Sequence, residues 1–334
     1  MTEDASLRAS AAGASRDRGS EEDGAAARPA VLLDCDPGHD DALAILLAGA
    51  TTELVGITVV SGNAPLERTL HNALIVTQIA GLDVPVHAGA VRPLLAEPRH
   101  AAFIHGESGL DGPTLPPLTR QAASGSAVRF LLASAEARDD LWLVATGPLT
   151  NVALALRQEP GLARRLEGIS LMGGSYGSGN VTAAAEFNIV ADPEAAAIVF
   201  ASGARIVMAG LDLTHQFRID ADRLDALLAL PGDTARFAAE LMTAYGAAYA
   251  RSFGPEVGVP LHDPCAVLAV TAPELFSSEA RPVAVELTGT LTRGMTVVDR
   301  RPGRRGSAAN TDVLTSLDDA AAFALLRAAL THYG

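Results

Sequence analysis

Short apolar runs alternate with longer segments of helical period through the first two thirds of the chain. Residues 30–33 (Ala-Val-Leu-Leu) read as a buried strand, and 42–48, apolar throughout, as a helix. The pattern then predicts strands over 53–60, 84–87, 141–145, 168–172 and 205–209, with helices over 65–79, 126–137, 149–157 and 193–201 between them. Regular alternation of this kind predicts an α/β fold, an open, mostly parallel β-sheet flanked by helices. In such sheets ligands bind at the carboxyl ends of the strands. The last third changes character: helices over 221–230 and 234–249, another opening at Asp263-Pro264, a short β section over 283–298 and a final helix over 317–331. These read as extra C-terminal helices and a β appendage on the same body. No internal repeat and no linker interrupts the pattern, so residues 29–334 are expected to form a single catalytic domain. Residues 1–28, rich in Ala, Ser, Gly and charge without periodicity, are expected to be a disordered tail.

Composition narrows the function classes. A chain of 334 residues, 49% hydrophobic, is long enough to bury a large core. The net charge is −14; the tail's six acids and four arginines account for −2, leaving −12 on the body. An acidic body argues against nucleic-acid binding through phosphate contacts. All 25 basic residues are arginine, which excludes Schiff-base chemistry, a phosphate-loop lysine and any lysine nucleophile. Cys35 and Cys265 offer no zinc or redox spacing, and a reducing compartment is the simpler expectation. With no apolar stretch of membrane-spanning length and no signal-peptide pattern, the protein is expected to be cytoplasmic.

The polar residues that packing does not require fall on strand ends. Asp34-Cys35-Asp36-Pro37-Gly38-His39-Asp40-Asp41 follows the first strand and opens the first helix. Alternation puts Asp34 and Asp36 on one face, with Cys35 turned into packing. A lone Asp-Asp pair would be an ordinary helix start, but that reading does not account for the strand-end pair. Four like charges so close call for a cation, and a hard divalent metal with oxygen ligands suits them. Other strand ends carry Ser61-Gly62-Asn63, Thr146-Gly147-Pro148-Leu149-Thr150-Asn151 and Gly173-Gly174. Singly each is turn or cap chemistry; together they surround the end of the sheet that holds the aspartates. The glycine-rich run 172–180 lacks the lysine and spacing of a phosphate loop, and reads as a substrate loop ending in Asn180. It leads to Glu186-Phe187-Asn188, whose carboxylate and amide suit sugar hydroxyls. Residues 104–112, with His105, lie in a long loop without an element of its own, the profile of an active-site lid. His262 beside Asp263 at a helix start places a proton-handling group next to a further metal ligand candidate.

These motifs together resemble the nucleoside hydrolase family, its inosine-uridine preferring type, over roughly residues 30–330. Residues 34–42 are similar to the family's opening signature. Gly62-Asn63, 104–109, 146–151, 171–180, 186–188, 261–265 and 291–296 (Leu-Thr-Arg-Gly-Met-Thr) follow in the family's order. The resemblance implies a calcium-dependent (Ca2+) hydrolase of the N-glycosidic bond of ribonucleosides, purine, pyrimidine or both, releasing base and ribose. It implies that Asp36, Asp41, the Thr146 carbonyl and Asp263 hold calcium, that Asp36 takes the proton of the attacking water, and that Asp34 orients the ligands. It further implies that Asp40, Asn63, Asn180, Glu186, Phe187 and Asn188 bind substrate, with Asp263 sharing a ribose hydroxyl. His262 and His105 would serve the leaving base. Trp142, the single tryptophan, lies in a predicted strand, which favours the family's histidine design over its tryptophan sandwich. Family members are dimers or tetramers, so a homo-oligomer is expected. Two rival readings remain: a haloacid-dehalogenase-like phosphatase, which begins with a similar Asp-x-Asp but needs the missing lysine, and a non-catalytic nucleoside or ribose sensor on the same scaffold.

Overall fold

The computed structural model describes residues 28–254, 258–301 and 308–334; the expected tail lies almost wholly outside them. The strands are β1 (Ala30–Cys35), β2 (Glu53–Val59), β3 (Val86–Ala88), β4 (Leu141–Ala145), β5 (Gly168–Met172), β6 (Ile206–Ala209), β7 (Arg218–Ile219), β8 (Val259–Pro260), β9 (Phe276–Arg281), β10 (Val283–Val285), β11 (Thr296–Val298) and β12 (Thr311–Leu317). Eight of them form the central sheet, in the order β3-β2-β1-β4-β5-β6-β12-β9. All neighbours run parallel except β9, which is antiparallel to β12 at the edge. The winding goes from β1 outward to β2 and β3 on one side, then restarts at β4 on the other. The connections leaving β1 and β4 therefore diverge and open a crevice at their carboxyl ends, where α/β sheets take ligands.

The alternation of β1 decides what each face buries. Val31, Leu33 and Cys35 point to the helices His39–Thr51, Leu66–Ile79, Asp233–Phe253, Pro264–Thr271 and Asp319–Thr331. Ala30 and Leu32 point to Ala127–Ala137, Thr150–Gln158 and Pro193–Phe200. Residues 42–48 have no polar face because helix His39–Thr51 has no solvent side: every one of them is buried. Its start is fixed by Gly38, whose N–H donates to Asp41 Oδ2 at 2.9 Å. Helix Pro193–Phe200 starts on Asp192, which accepts from the Ala195 N–H, with Pro193 at the first position.

The expected elements of the first two thirds are present, with the third strand shifted to Val86–Ala88. The C-terminal third departs from expectation. The last helix, expected from 317, begins at Asp319, because 311–317 is β12, a strand of the main sheet. Its partner β9 was also missed, because its sequence, Phe-Ser-Ser-Glu-Ala-Arg, is an exposed edge strand with little apolar period. The expected β section over 283–298 is the antiparallel hairpin β10–β11. Among the described residues no helix is long and apolar enough to cross a membrane.

Candidate active site

The four aspartates converge, as their spacing suggested, and all are buried. Asp34, within β1, reaches sideways under the sheet end: its Oδ1 accepts from Thr58 Oγ1 at 2.5 Å and from Asn151 Nδ2 at 2.8 Å. Burial pushes its carboxyl up to about 7 against those two bonds. Asp36 follows the strand, and its Oδ2 accepts from the Asn63 N–H at 2.6 Å. Its Oδ1 is buried with no hydrogen-bond partner, as is Oδ2 of Asp34. Room for this carboxylate is made by two glycines, Gly62 after β2 and Gly147 after β4; a Cβ on either would fall onto an Asp36 oxygen. Asp41 accepts from Gly38 N, from Asn63 Nδ2 at 3.2 Å and from Thr146 Oγ1 at 2.8 Å. Asp40 accepts from the His262 N–H at 3.3 Å.

Asp263 arrives from the far end of the chain, at the start of helix Pro264–Thr271, which packs against helix His39–Thr51. Among the described residues, Asp40, Asp41 and Asp263 form a group whose oxygens lie within 4.8 Å of one another. Asp36 stands beside this group, joined to it by Asn63 Nδ2, which donates to both the Asp36 carbonyl and the Asp41 carboxylate. Burial first, then their mutual repulsion, raises Asp36 and Asp263 well above the usual carboxylate range, and Asp40 to about 7. The donors just named are backbone N–H, hydroxyl and amide groups, all neutral. A buried carboxylate cluster with neutral donors and an unpartnered oxygen fits a hard divalent cation, which would remove the repulsion and satisfy the oxygens.

Around this floor lies a cavity of about 310 Å³. One wall is polar. Asn188 Nδ2 donates to the Thr146 carbonyl at 2.7 Å and to the Met172 carbonyl at 3.1 Å, tying the ends of β4 and β5 together. Glu186 caps the helix Phe187–Ala191: Oε1 accepts from Asn188 N and Oε2 from Ile189 N. Burial pushes Glu186 up to about 7. Asn180 Oδ1 accepts from the Phe187 N–H at 3.0 Å, so the glycine-rich loop closes onto this short helix. Asn63, Asn180, Glu186, Phe187 and Asn188 all line the cavity.

The opposite wall is aromatic. His105 stacks on His39 and Tyr245 with ring centroids 5.3 and 5.4 Å apart. The Nδ1 atoms of His39 and His105 lie 3.1 Å apart, and His39 Nε2 donates to the Asp111 carbonyl at 2.8 Å. The lid was expected to have no element of its own; it contains a short helix, Ala102–His105, anchored by the Ala101 N–H on the Asn63 carbonyl at 3.0 Å. His262 pairs through Nδ1 with Thr214 Oγ1 at 2.7 Å. Burial, helped by His215 and Arg218, lowers it to about 3, so the ring is neutral at pH 7. Sequence reasoning did not single out His39, Tyr245, Tyr249, His215 or the largely exposed Phe103. Tyr245 and Tyr249 share one face of helix Asp233–Phe253 at four-residue spacing, a signal that ordinary amphipathic helices also carry.

A cluster of buried acids at the switch point of a parallel sheet, under a cavity of this size, defines an α/β enzyme for a small-molecule substrate. The profile of the inosine-uridine preferring nucleoside hydrolases matches residues 31–324, and the chain belongs to that family and is an N-ribosyl hydrolase. It is 43% identical over 307 residues to pyrimidine-specific ribonucleoside hydrolase RihA of Salmonella typhimurium, covering 91% of this chain and 98% of the relative. To RihA of Escherichia coli it is 46% identical over 273 residues, 80% and 88% of the two chains. Among solved structures, a purine-preferring ribonucleoside hydrolase from Gardnerella vaginalis superposes with a TM-score of 0.85 at 33% identity, covering 91% and 98%. An inosine-guanosine nucleoside hydrolase gives 0.82 at 31% identity, covering 91% and 99%.

Proposed function

We propose that the chain is a calcium-dependent hydrolase of ribonucleosides, with pyrimidine ribonucleosides foremost. The observation that carries the reading is the buried acidic floor, with its neutral donors and the unpartnered Oδ1 of Asp36, beneath a cavity whose walls differ in chemistry. Asp36, Asp41, the Thr146 carbonyl and Asp263 would hold the ion, and Asp34, fixed by Thr58 and Asn151, would orient these ligands. When bound, calcium neutralises the cluster and makes a water more acidic. The Asp36 carboxylate would take the proton of the attacking water. Asp40, Asn63, Asn180, Glu186 and Asn188 bind ribose, with Phe187 beside them and Asp263 sharing a hydroxyl. The carboxylates also favour the positive charge that develops on the sugar in the oxocarbenium-like transition state.

The leaving base faces His105 and His262. The Thr214 hydroxyl pairs with Nδ1 of His262, which leaves Nε2 as the ring atom for the base. The preference for pyrimidines is supported by the RihA relatives, which are more similar in sequence than the purine-preferring structures. The test is a panel of uridine, cytidine, inosine, adenosine and guanosine with calcium, followed by release of free base. Uridine and cytidine should be cleaved fastest, a chelator should abolish cleavage, and calcium should restore it. Full activity after exhaustive chelation would remove the metal from the reading. Nucleosides recovered intact from the holoprotein after hours would favour a sensor.

A further inference from the structure

The motif at residues 291–296 has no role in the chemistry just described, yet its last residue reaches the site. Thr296 opens β11 and is buried, 2% exposed. Its Oγ1 accepts from the Ser175 N–H at 2.8 Å and donates to the Ser175 carbonyl at 2.6 Å. One hydroxyl thus satisfies both backbone groups of a loop residue 121 positions away. The residue before it, Gly174, has φ +74°, and a Cβ there would meet the Thr296 side chain at 2.7 Å. Only glycine lets the turn press so close. The Gly174 N–H in turn donates to Glu186 Oε2 at 2.9 Å, Glu186 Oε1 accepts from Asn188 N at 2.9 Å, and Asn188 Nδ2 donates to the Thr146 carbonyl. A continuous path of hydrogen bonds therefore runs from the hairpin to the carbonyl beside the acidic floor.

We propose that Thr296 is a positioning residue: its hydroxyl clamps the 173–175 turn and so sets Glu186 and Asn188 for ribose and the Thr146 carbonyl for the metal. Thr296 itself touches no reacting atom. The assignment rests on the proposed function for those three groups, while the clamp itself does not depend on it. The competing possibility is built into the same turn: the Leu211 N–H holds the Gly174 carbonyl at 2.9 Å, and if that tether suffices, the hydroxyl is dispensable.

Thr296→Val keeps the shape of the side chain and removes both bonds. Thr296→Ser keeps the hydroxyl. Val298→Ala loosens the packing of the same hairpin without touching Ser175. With calcium-loaded enzyme, Thr296→Val should raise KM for uridine about tenfold or more and raise the calcium needed for half-maximal activity, as expected when buried backbone groups lose their partner. Thr296→Ser should return KM to within about twofold of wild type, a rescue that shape alone would not produce. Amide hydrogen exchange over 173–180 should accelerate in Thr296→Val and not in Val298→Ala. Unchanged exchange in a folded Thr296→Val protein would overturn the clamp, and so would an equal KM rise in Val298→Ala. Faster exchange with no nucleoside cleavage by wild type would leave the clamp standing and sink the functional reading instead.

Discussion

At the scale of single residues, Asp36 carries the most specific expectation. One oxygen is held by the Asn63 N–H and the other has no partner, in a buried place where a negative charge is opposed by its neighbours. Asp36→Asn keeps an acceptor for Asn63 but removes both the charge and the proposed base. Turnover should fall by about 10²–10⁴-fold, the range of a general base, while the metal-free protein should melt higher because one buried repelling carboxylate is gone. A kcat within tenfold of wild type would mean that another group takes the proton. The aspartates were legible because they crowd one strand end, and like charges at that spacing need a reason. His39 was less so, although it lies inside the same motif: its role depends on His105 and Asp111, 66 and 72 positions away. Glu186 reads differently in the structure too. Its carboxylate accepts from the backbone of Asn188, Ile189 and Gly174, so it shapes the polar wall of the cavity as a helix cap as well as lining it.

At the scale of elements, the site depends on three strands ending at one level, with glycine where their loops pass Asp36. Gly147 follows β4, and the backbone there is open to any L-residue, since its φ is not in the left-handed region. A Cβ would nevertheless stand 2.5 Å from Asp36 Oδ1. Gly147→Ala should therefore displace the carboxylate and lower kcat by about a hundredfold or more, the cost of an ångström-scale misplacement, at an overpacking cost of about 1–3 kcal/mol in stability. Wild-type turnover in a folded Gly147→Ala enzyme would show that the Asp36 carboxylate is not confined there. The parallel strands and their helices were legible because both faces of the sheet are covered, which leaves continuous apolar runs in the sequence. The pattern failed where burial is one-sided or slight. β12 mixes Thr, Asp and Ser with its apolar residues, and β9 lies at the edge. Short elements held by tertiary contacts, such as Ala102–His105, have too few residues to show a period.

At the scale of the whole molecule, the acidic floor links stability to pH and, under the proposed function, to calcium as well. Asp34 and Asp40 have folded values near 7 against an ordinary 3.8, and burial with mutual repulsion raises Asp36 and Asp263 well above 3.8 as well. A raised acid favours the folded state fully below its unfolded value and loses that contribution as pH climbs through its folded value, so the metal-free protein is penalised from about pH 4 to 7. His39, His105 and His262 are lowered by burial from the usual 6.5 and act with the opposite sign, costing stability as pH falls below that value. These histidine contributions operate with or without metal and largely cancel when the two forms are compared at one pH. Under the proposed function, what remains is competition between protons and calcium for the same carboxylates. The rise in Tm on adding saturating calcium to chelated protein should therefore be small at pH 5.5 and grow steadily to pH 8. At calcium a thousandfold above its dissociation constant, the stabilisation corresponds to about 4 kcal/mol. Thermal melts of the two forms at half-unit pH steps measure it. A calcium-induced shift of constant size across that range would mean that the ion does not bind at this floor, since an ion held by Asp40, Asp41, Asp263 and their neighbours must displace the protons that burial keeps on them.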